Sequence, residues 1–380
     1  MNYAFMAVAF MKITGVPRVD LSIQEKPLRE KMISVFTEVI DSGDLILGKN
    51  VTAFEKEAAE YLGIPNAVGV ANGTDAIKLA LAALGIGKGD EVITTPFTMA
   101  ANVEAIFHVG AKPVFADVNY ETFNISPEKI REKITKKTKA ILPVHLFGLP
   151  ADMEKIISLA KDADLFVVED CAQAFGSEYK EKKCGSFGEL SATSFYPTKN
   201  LGGYGDGGMV FVNKPEYLDK LRHLRVHGQV KKYDYKYIGW NSRLDEIQAA
   251  ILRPKLRLID SWNDSRAKAA AIYTKELSGI MQVKIPEAPA HSKHVFHLYT
   301  IKAEKRDELE KYLFKNNIGT TINFPAPLHL QKGYSSLGYA QGDFPVAEKL
   351  CAESISLPMF VGITKEQISY VAEKISSFYN

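Results

Sequence analysis

The chain has 380 residues, of which 46% are hydrophobic and 24% charged, the balance of a soluble globular protein long enough for two or three domains. Its formal net charge is only +2, and lysines and arginines are spread along it, which excludes the field expected of a nucleic-acid binder or a membrane-surface protein. The three cysteines, Cys171, Cys184 and Cys351, form no CxxC pair; they argue against a disulfide framework and a zinc site, and fit a reducing cytoplasm.

The chain opens on an apolar run, AFMAVAFM (Ala4–Met11). No basic residue precedes it and no small-residue cleavage site follows, so a signal peptide is not expected. Residues 1–18 are expected to form a disordered or loosely packed extension, with Met11 as an alternative start. No stretch reaches the ~20 apolar residues of a membrane helix. Pro27 to Ile40 reads as one helix, with proline in its first turn and Gly43 closing it. From about residue 65 to 215, β-rich runs alternate with helical periodicity. The runs are Ala67–Ala71, Glu91–Thr95, Lys112–Val118, Ala140–His145, Leu165–Asp170, Ser191–Tyr196 and Gly208–Val212. Several are continuously apolar, as strands covered on both faces are. This predicts an α/β fold with a mainly parallel seven-stranded sheet. A long helical connector is expected over Ser242–Leu277, interrupted near Pro254. Beyond it come a strand (His294–Ala303), a charged helix (Arg306–Asn316), a Pro-rich loop (Phe324–Gln331) and a final helix from Lys365. The division expected is an extension (1–18), a large α/β domain (19–255) and a smaller α+β domain (256–380). The run Lys136, Lys137, Lys139 is too short for a nucleic-acid patch and reads as a solvated helix end.

The chemistry centres on two residues. Asp170 ends the apolar run LFVVED, and Lys199 follows SATSFY in SFYPTKNLGGYGDGG. Ligands of open α/β sheets gather at the carboxyl ends of strands, so both residues are placed to face one crevice. A pyridoxal-phosphate (PLP) enzyme needs such a pair: an amine to hold the cofactor and move protons, and a carboxylate to keep its pyridine nitrogen protonated. Asn72-Gly73-Thr74-Asp75-Ala76 joins a strand to a helix N-terminus, a cradle for a phosphate dianion, and Ser194 adds a hydroxyl beside the lysine loop. Phe97, after the strand EVITT, is a candidate to stack on the ring. Taken singly, each has a plainer reading as a turn, an N-cap or a core aromatic. Three other features are set aside. His291, His294 and His297 suggest a metal, but residues three apart on a strand point to opposite faces. GIGKGD (Gly85–Asp90) lacks the GK[ST] ending of a P-loop. GGYGDGG does not open a helix as a dinucleotide fingerprint must. No metal is expected.

Together the segments ANGTDAI, PFTMAANVEAI, VEDCAQAFGS, SFYPTKNLGGYGDGG, NSRLDEIQAAIL, INFPAPLHLQ and GDFPVAEKLCAESISLPMF resemble the DegT/DnrJ/EryC1/StrS family of fold-type I sugar-nucleotide aminotransferases, from about Val19 to the C-terminus. The resemblance implies Lys199 as the Schiff-base lysine, Asp170 as partner of the pyridine nitrogen, Gln173 near the ring, and Gly73, Thr74 and Ser194 as phosphate ligands. It implies that Asn241 reaches the phosphate of a second subunit, so that a homodimer shares its active sites. His329 and Tyr204 would line the substrate cleft. The substrates implied are L-glutamate, giving 2-oxoglutarate, and a nucleotide-linked keto sugar. The loop NLGGYGDGG resembles that of members aminating C3, which points to a dTDP-3-keto-6-deoxyhexose; a UDP-2-acetamido-3-keto uronic acid and a 4-keto sugar are the alternatives. Asn323-Phe324 departs from the His-Tyr that the family often has before this proline, and bears on substrate contacts. A PLP sugar dehydratase would have histidine for Lys199. A non-catalytic regulator would be marked by loss of Asp170 or Lys199, and both are present.

Overall fold

The computed structural model describes residues 13–380. The apolar run before them lies outside the described residues. Residues 13–18 are not a loose extension: Val16 is 1% exposed, bridges Ile318 in parallel and sits in the core of the C-terminal domain.

A 3-10 turn carrying Pro27 leads into α1 (Arg29–Ser42), closed by Gly43 at φ 70. α2 (Lys49–Leu62) follows. The large domain then alternates β1 (Asn66–Val70), α3 (Gly73–Ala83), β2 (Glu91–Thr94), α4 (Ala101–His108), β3 (Lys112–Phe115), α5 (Pro127–Lys133), β4 (Thr138–Ile141), α6 (Met153–Asp162), β5 (Phe166–Asp170), β6 (Leu190–Ser194) and β7 (Gly208–Val212). These seven strands form one sheet in the order β1-β7-β6-β5-β4-β2-β3. β7 runs antiparallel to both its neighbours and every other pairing is parallel. β4 stops short of the expected His145 because Pro143 has no N–H to give the ladder; its carbonyl instead accepts from the Asp170 N–H at 2.9 Å.

Helices cover both faces, and the period of two along β7 shows how. Val210 and Val212 join Ile77 and Leu79 of α3 in one core, while Met209 and Phe211 join Phe54 of α2 in another. All of these side chains are buried, which is why the strand reads as a continuous apolar run.

A short helix (Leu218–Leu224) precedes the connector, which is two helices, α7 (Glu246–Leu256) and α8 (Ile259–Leu277). The break falls at Arg257-Leu258. Pro254 lies inside α7, close enough to its end that few helical bonds are lost. Along α8, Ile259 and Trp262 pack on the large domain, and Ala269, Ala270 and Tyr273 on the small one. The domain boundary therefore runs through α8 rather than at residue 255. The small domain holds an antiparallel sheet of Val283–Lys284, Tyr299–Ala303 and Ser354–Leu357, flanked by helices Arg306–Lys315 and Lys365–Tyr379. Residues 294–298, expected as strand, are irregular, with Phe296 at φ 43.

Candidate active site

The carboxyl ends of β1, β2, β5 and β6 meet at one pocket of about 320 Å³, room for a small-molecule cofactor. Asp170 is the last residue of β5. Its carbonyl accepts from the His145 N–H at 3.0 Å. Its carboxylate is fixed as well: Oδ1 accepts from the Ala172 N–H at 2.9 Å and Oδ2 from the Asn102 amide at 3.0 Å. The Thr98 hydroxyl donates to Asn102 Oδ1 at 3.4 Å, steadying that amide in turn. A carboxylate gripped at both oxygens keeps one orientation.

Lys199 stands in the loop after β6, its N–H closing a turn onto the Tyr196 carbonyl at 2.8 Å. Burial strips water from the ammonium and pushes it down to about 8, against the pull of Asp170. Roughly a tenth of such an amine is free base at neutral pH, where an ordinary lysine has almost none.

At the start of α3, Asn72 Oδ1 accepts from the Asp75 N–H at 2.8 Å. The N–H groups of Gly73 and Thr74 belong to the first turn and have no intrahelical acceptor. A Cβ on Gly73 would stand 2.8 Å from the Ser194 Cβ, so any side chain there closes the cradle. Gly208 is equally constrained, since its Cβ would meet the Asn72 carbonyl at 2.3 Å. Gln173 is held by the Phe147 N–H, which donates to its Oε1 at 2.8 Å. The donor set fits pyridoxal phosphate: a helix N-terminus and hydroxyls for the phosphate, a fixed carboxylate for the ring nitrogen, and a nucleophilic amine for the aldehyde.

The sequence profile of the DegT/DnrJ/EryC1/StrS aminotransferase family matches residues 26–376. The chain belongs to this family. It is similar to a pleiotropic regulatory protein of Geobacillus stearothermophilus, 48% identical over 96% of this chain and 99% of that one. It is 45% identical, over 95% of this chain and 97% of the relative, to a UDP-N-acetyl-3-dehydro-alpha-D-glucosamine 3-aminotransferase of Acidithiobacillus ferrooxidans. The crystal structure of S. venezuelae DesV in complex with a ketimine intermediate superposes with a TM-score of 0.94 at 39% identity, covering 97% of this chain and 99% of that one. The protein is a pyridoxal-phosphate aminotransferase of the α/β fold that its sequence suggests.

Of the residues singled out in this aminotransferase's sequence, Gly73, Thr74, Asp170, Gln173, Ser194 and Lys199 all line the pocket. Phe97 does not. It is 0% exposed and packs with Phe123, Phe147 and Phe324 beneath the wall, because the chain turns after Pro96 and carries Met99, 56% exposed, to the surface of the pocket instead. His329 is also buried off the pocket, its Nε2 3.0 Å from Glu348 Oε1 and its ring against Phe344. Tyr204 bonds Glu25 Oε2 through its hydroxyl at 2.5 Å, with the Lys255 ammonium 4.2 Å above its ring. Asn241 is exposed in a bridge with Val226 and takes no part in its own chain's pocket.

Arg18, Asn102 and His297 were not singled out as pocket residues from the sequence, yet all three line the pocket. Asn102 sits in a helical register that looks apolar, and the only sequence trace of its role is Thr98 one turn earlier. Arg18 lies in the segment expected to be loose. The three histidines do not converge: His291 is exposed, His294 stacks on Phe296 at 3.9 Å, and His297 faces the pocket. They diverge because residues 294–298 are irregular, not because they alternate along a strand. Among the described residues, His145, Glu169 and Cys171 have ligand atoms within 4.8 Å of one another. Their lone pairs are largely spent: His145 Nδ1 accepts from the Ala151 N–H, and Glu169 from the N–H groups of Gly185, Phe187 and Gly188. The cluster braces the strand end that carries Asp170. No helix is long and apolar enough to cross a membrane among the described residues.

Proposed function

We propose that this aminotransferase moves the amino group of L-glutamate to C3 of a nucleotide-linked 3-keto hexose, in the cytoplasm and as a homodimer with shared sites. The observation that carries the chemistry is Lys199: a half-buried residue whose desolvated amine is depressed, beside a fixed carboxylate, at the mouth of a phosphate cradle. When bound, the cofactor supplies a ring that takes up electrons from the substrate carbon. Lys199 would hold it covalently and afterwards carry a proton between substrate carbon and cofactor carbon. Asp170 would keep the ring nitrogen protonated. Gly73, Thr74 and Ser194 would bind the phosphate, and Gln173 would lie against the ring. Met99, Leu298 and Phe324 give the outer wall an apolar stretch for the face of a sugar.

The loop NLGGYGDGG and the 3-aminotransferase relative both favour C3. The relative's name favours a UDP-linked 2-acetamido-3-keto hexose as a second sugar beside the dTDP-linked 6-deoxyhexose. Incubating the enzyme with glutamate and UDP- or dTDP-linked 3-keto and 4-keto sugars tests this, with the product's nitrogen placed by NMR. Nitrogen at C3 is expected. Nitrogen at C4 alone refutes the regiochemistry. No amination by an enzyme that holds its cofactor favours a regulatory role, as the Geobacillus stearothermophilus relative's name suggests.

Dimerisation is supported by α1, where Ile33, Phe36 and Ile40 lie on one helical face and are 46%, 45% and 54% exposed. Asn241 has no role in its own pocket, which suits a residue that serves a neighbour's phosphate. Sedimentation should give a dimer at micromolar concentration, and Asn241→Ala should loosen cofactor binding without dissociating it. A fully active monomer rules this out.

A further inference from the structure

His297 lines the pocket together with Lys199, and the roles assigned above for phosphate, ring and amine leave it unused. Its ring is set by a relay anchored on main-chain carbonyls. The Asn263 amide donates to the Phe175 carbonyl at 3.0 Å, so Asn263 presents its oxygen to Asn200. The Asn200 amide donates to that oxygen at 2.7 Å and to the Val295 carbonyl at 3.1 Å. Both amide hydrogens of Asn200 are then used, and its oxygen is what faces His297 Nδ1, 3.1 Å away. An amide oxygen only accepts, so the proton is on Nδ1. Asn200 and Asn263 are 3% and 2% exposed, which shields the relay from water. Burial, then the charges of Lys199, Arg266 and Arg18, hold the ring well below its ordinary pKa and so keep it neutral. Nε2 is left with a lone pair, and no described residue donates to it.

We infer that His297 Nε2 accepts a hydrogen bond from an O–H or N–H on a sugar carbon beside the one that receives nitrogen, and so selects for sugars that carry a donor there. A neutral ring nitrogen with a lone pair repels carboxylate, phosphate and keto oxygens, which present lone pairs of their own; only a donor satisfies it. His297 and Lys199 line the same pocket, and the Lys199 charge acts on the His297 ring, which places that ring close to the group that works on the reacting carbon. The substituents within reach are those one bond away, a hydroxyl or an acetamido N–H. Sites built to bond a substrate O–H or N–H reject analogues lacking it, because their own polar atom is then left unpaired.

The inference rests on the sugar-nucleotide reading, and equilibrium binding separates the two. The amine-loaded holoenzyme is titrated calorimetrically with non-reacting UDP- and dTDP-linked glucose and N-acetylglucosamine, and with their 2-deoxy and 4-deoxy counterparts. His297→Phe should weaken binding of the parent sugars by roughly fivefold to tenfold, the size of one neutral hydrogen bond. One of the two deoxy sugars should bind wild type and variant alike. His297→Gln should restore selection, since its amide can donate to Asn200 while its oxygen faces the sugar. His297→Leu gives the same comparison if phenylalanine disturbs packing, and wild type must itself prefer the parent sugar over that one deoxy form. An equal loss for parent and both deoxy sugars, or no loss for any of them, overturns the role of His297 and leaves the sugar-nucleotide reading standing. Wild type that binds no sugar nucleotide overturns both.

Discussion

Lys199→Ala is expected to abolish covalent capture of the cofactor and to lower turnover by more than about 10³-fold, since it removes both nucleophile and proton carrier. The near-visible absorption of lysine-bound cofactor should vanish, and borohydride should yield no phosphopyridoxyl-lysine peptide. The wild-type pH profile follows from the same residue. Only the free-base amine attacks an aldehyde, and burial brings this one down to about 8 from the usual 10.5. Cofactor capture by the apoprotein should therefore quicken with rising pH and level off above about 8, the sign expected when the neutral form reacts. A profile still climbing beyond pH 9, or a reduced peptide from another lysine, would show that Lys199 is not the attachment point.

Asp170→Asn separates charge from shape. Oδ1 of the new amide still accepts from the Ala172 N–H. Its nitrogen meets the nitrogen of Asn102, and a flip of the Asn102 amide restores that bond, with the Thr98 hydroxyl turning to accept. The fold and the phosphate cradle should survive, so the variant should bind cofactor and melt near the wild-type temperature. Turnover should fall by roughly 10²-fold to 10⁴-fold, because the pyridine nitrogen loses the negative charge that keeps its proton. Turnover within a few-fold of wild type would remove Asp170 from that role.

The large domain was legible because its strands are buried on both faces. Valines and phenylalanines filling both sides of β7 make an apolar run that no surface strand shows, and helical periodicity lies between such runs. That Asp170, Lys199 and the Gly73-Thr74 turn would face one pocket was legible for a related reason. Each stands where a strand ends, a position that the chain's own punctuation marks. Asn102, Arg18 and His297 were not, because their roles lie in contacts across the fold: Asn102 reaches Asp170, 68 positions away, and His297 reaches Asn200, 97 away. Phe97 illustrates the opposite error. It follows β2 as a ring contact would, but the turn after Pro96 sends it into the core and Met99 outward.

The sequence by itself determined the fold class, the attachment lysine and its carboxylate as candidates, and the family resemblance. These depend on local order: residue type, alternation and the ends of elements. Tertiary structure decided the electrostatics and the orientation of the site. Lys199 is depressed because several separate segments close around it, and Asp170 points one way because a helix residue grips it. The break of the expected strand at 294–298 carries His297 to the pocket and fixes its tautomer through Asn200 and Asn263. Burial and hydrogen-bond direction are properties of groups brought together from far along the chain, and no local pattern of residues states them.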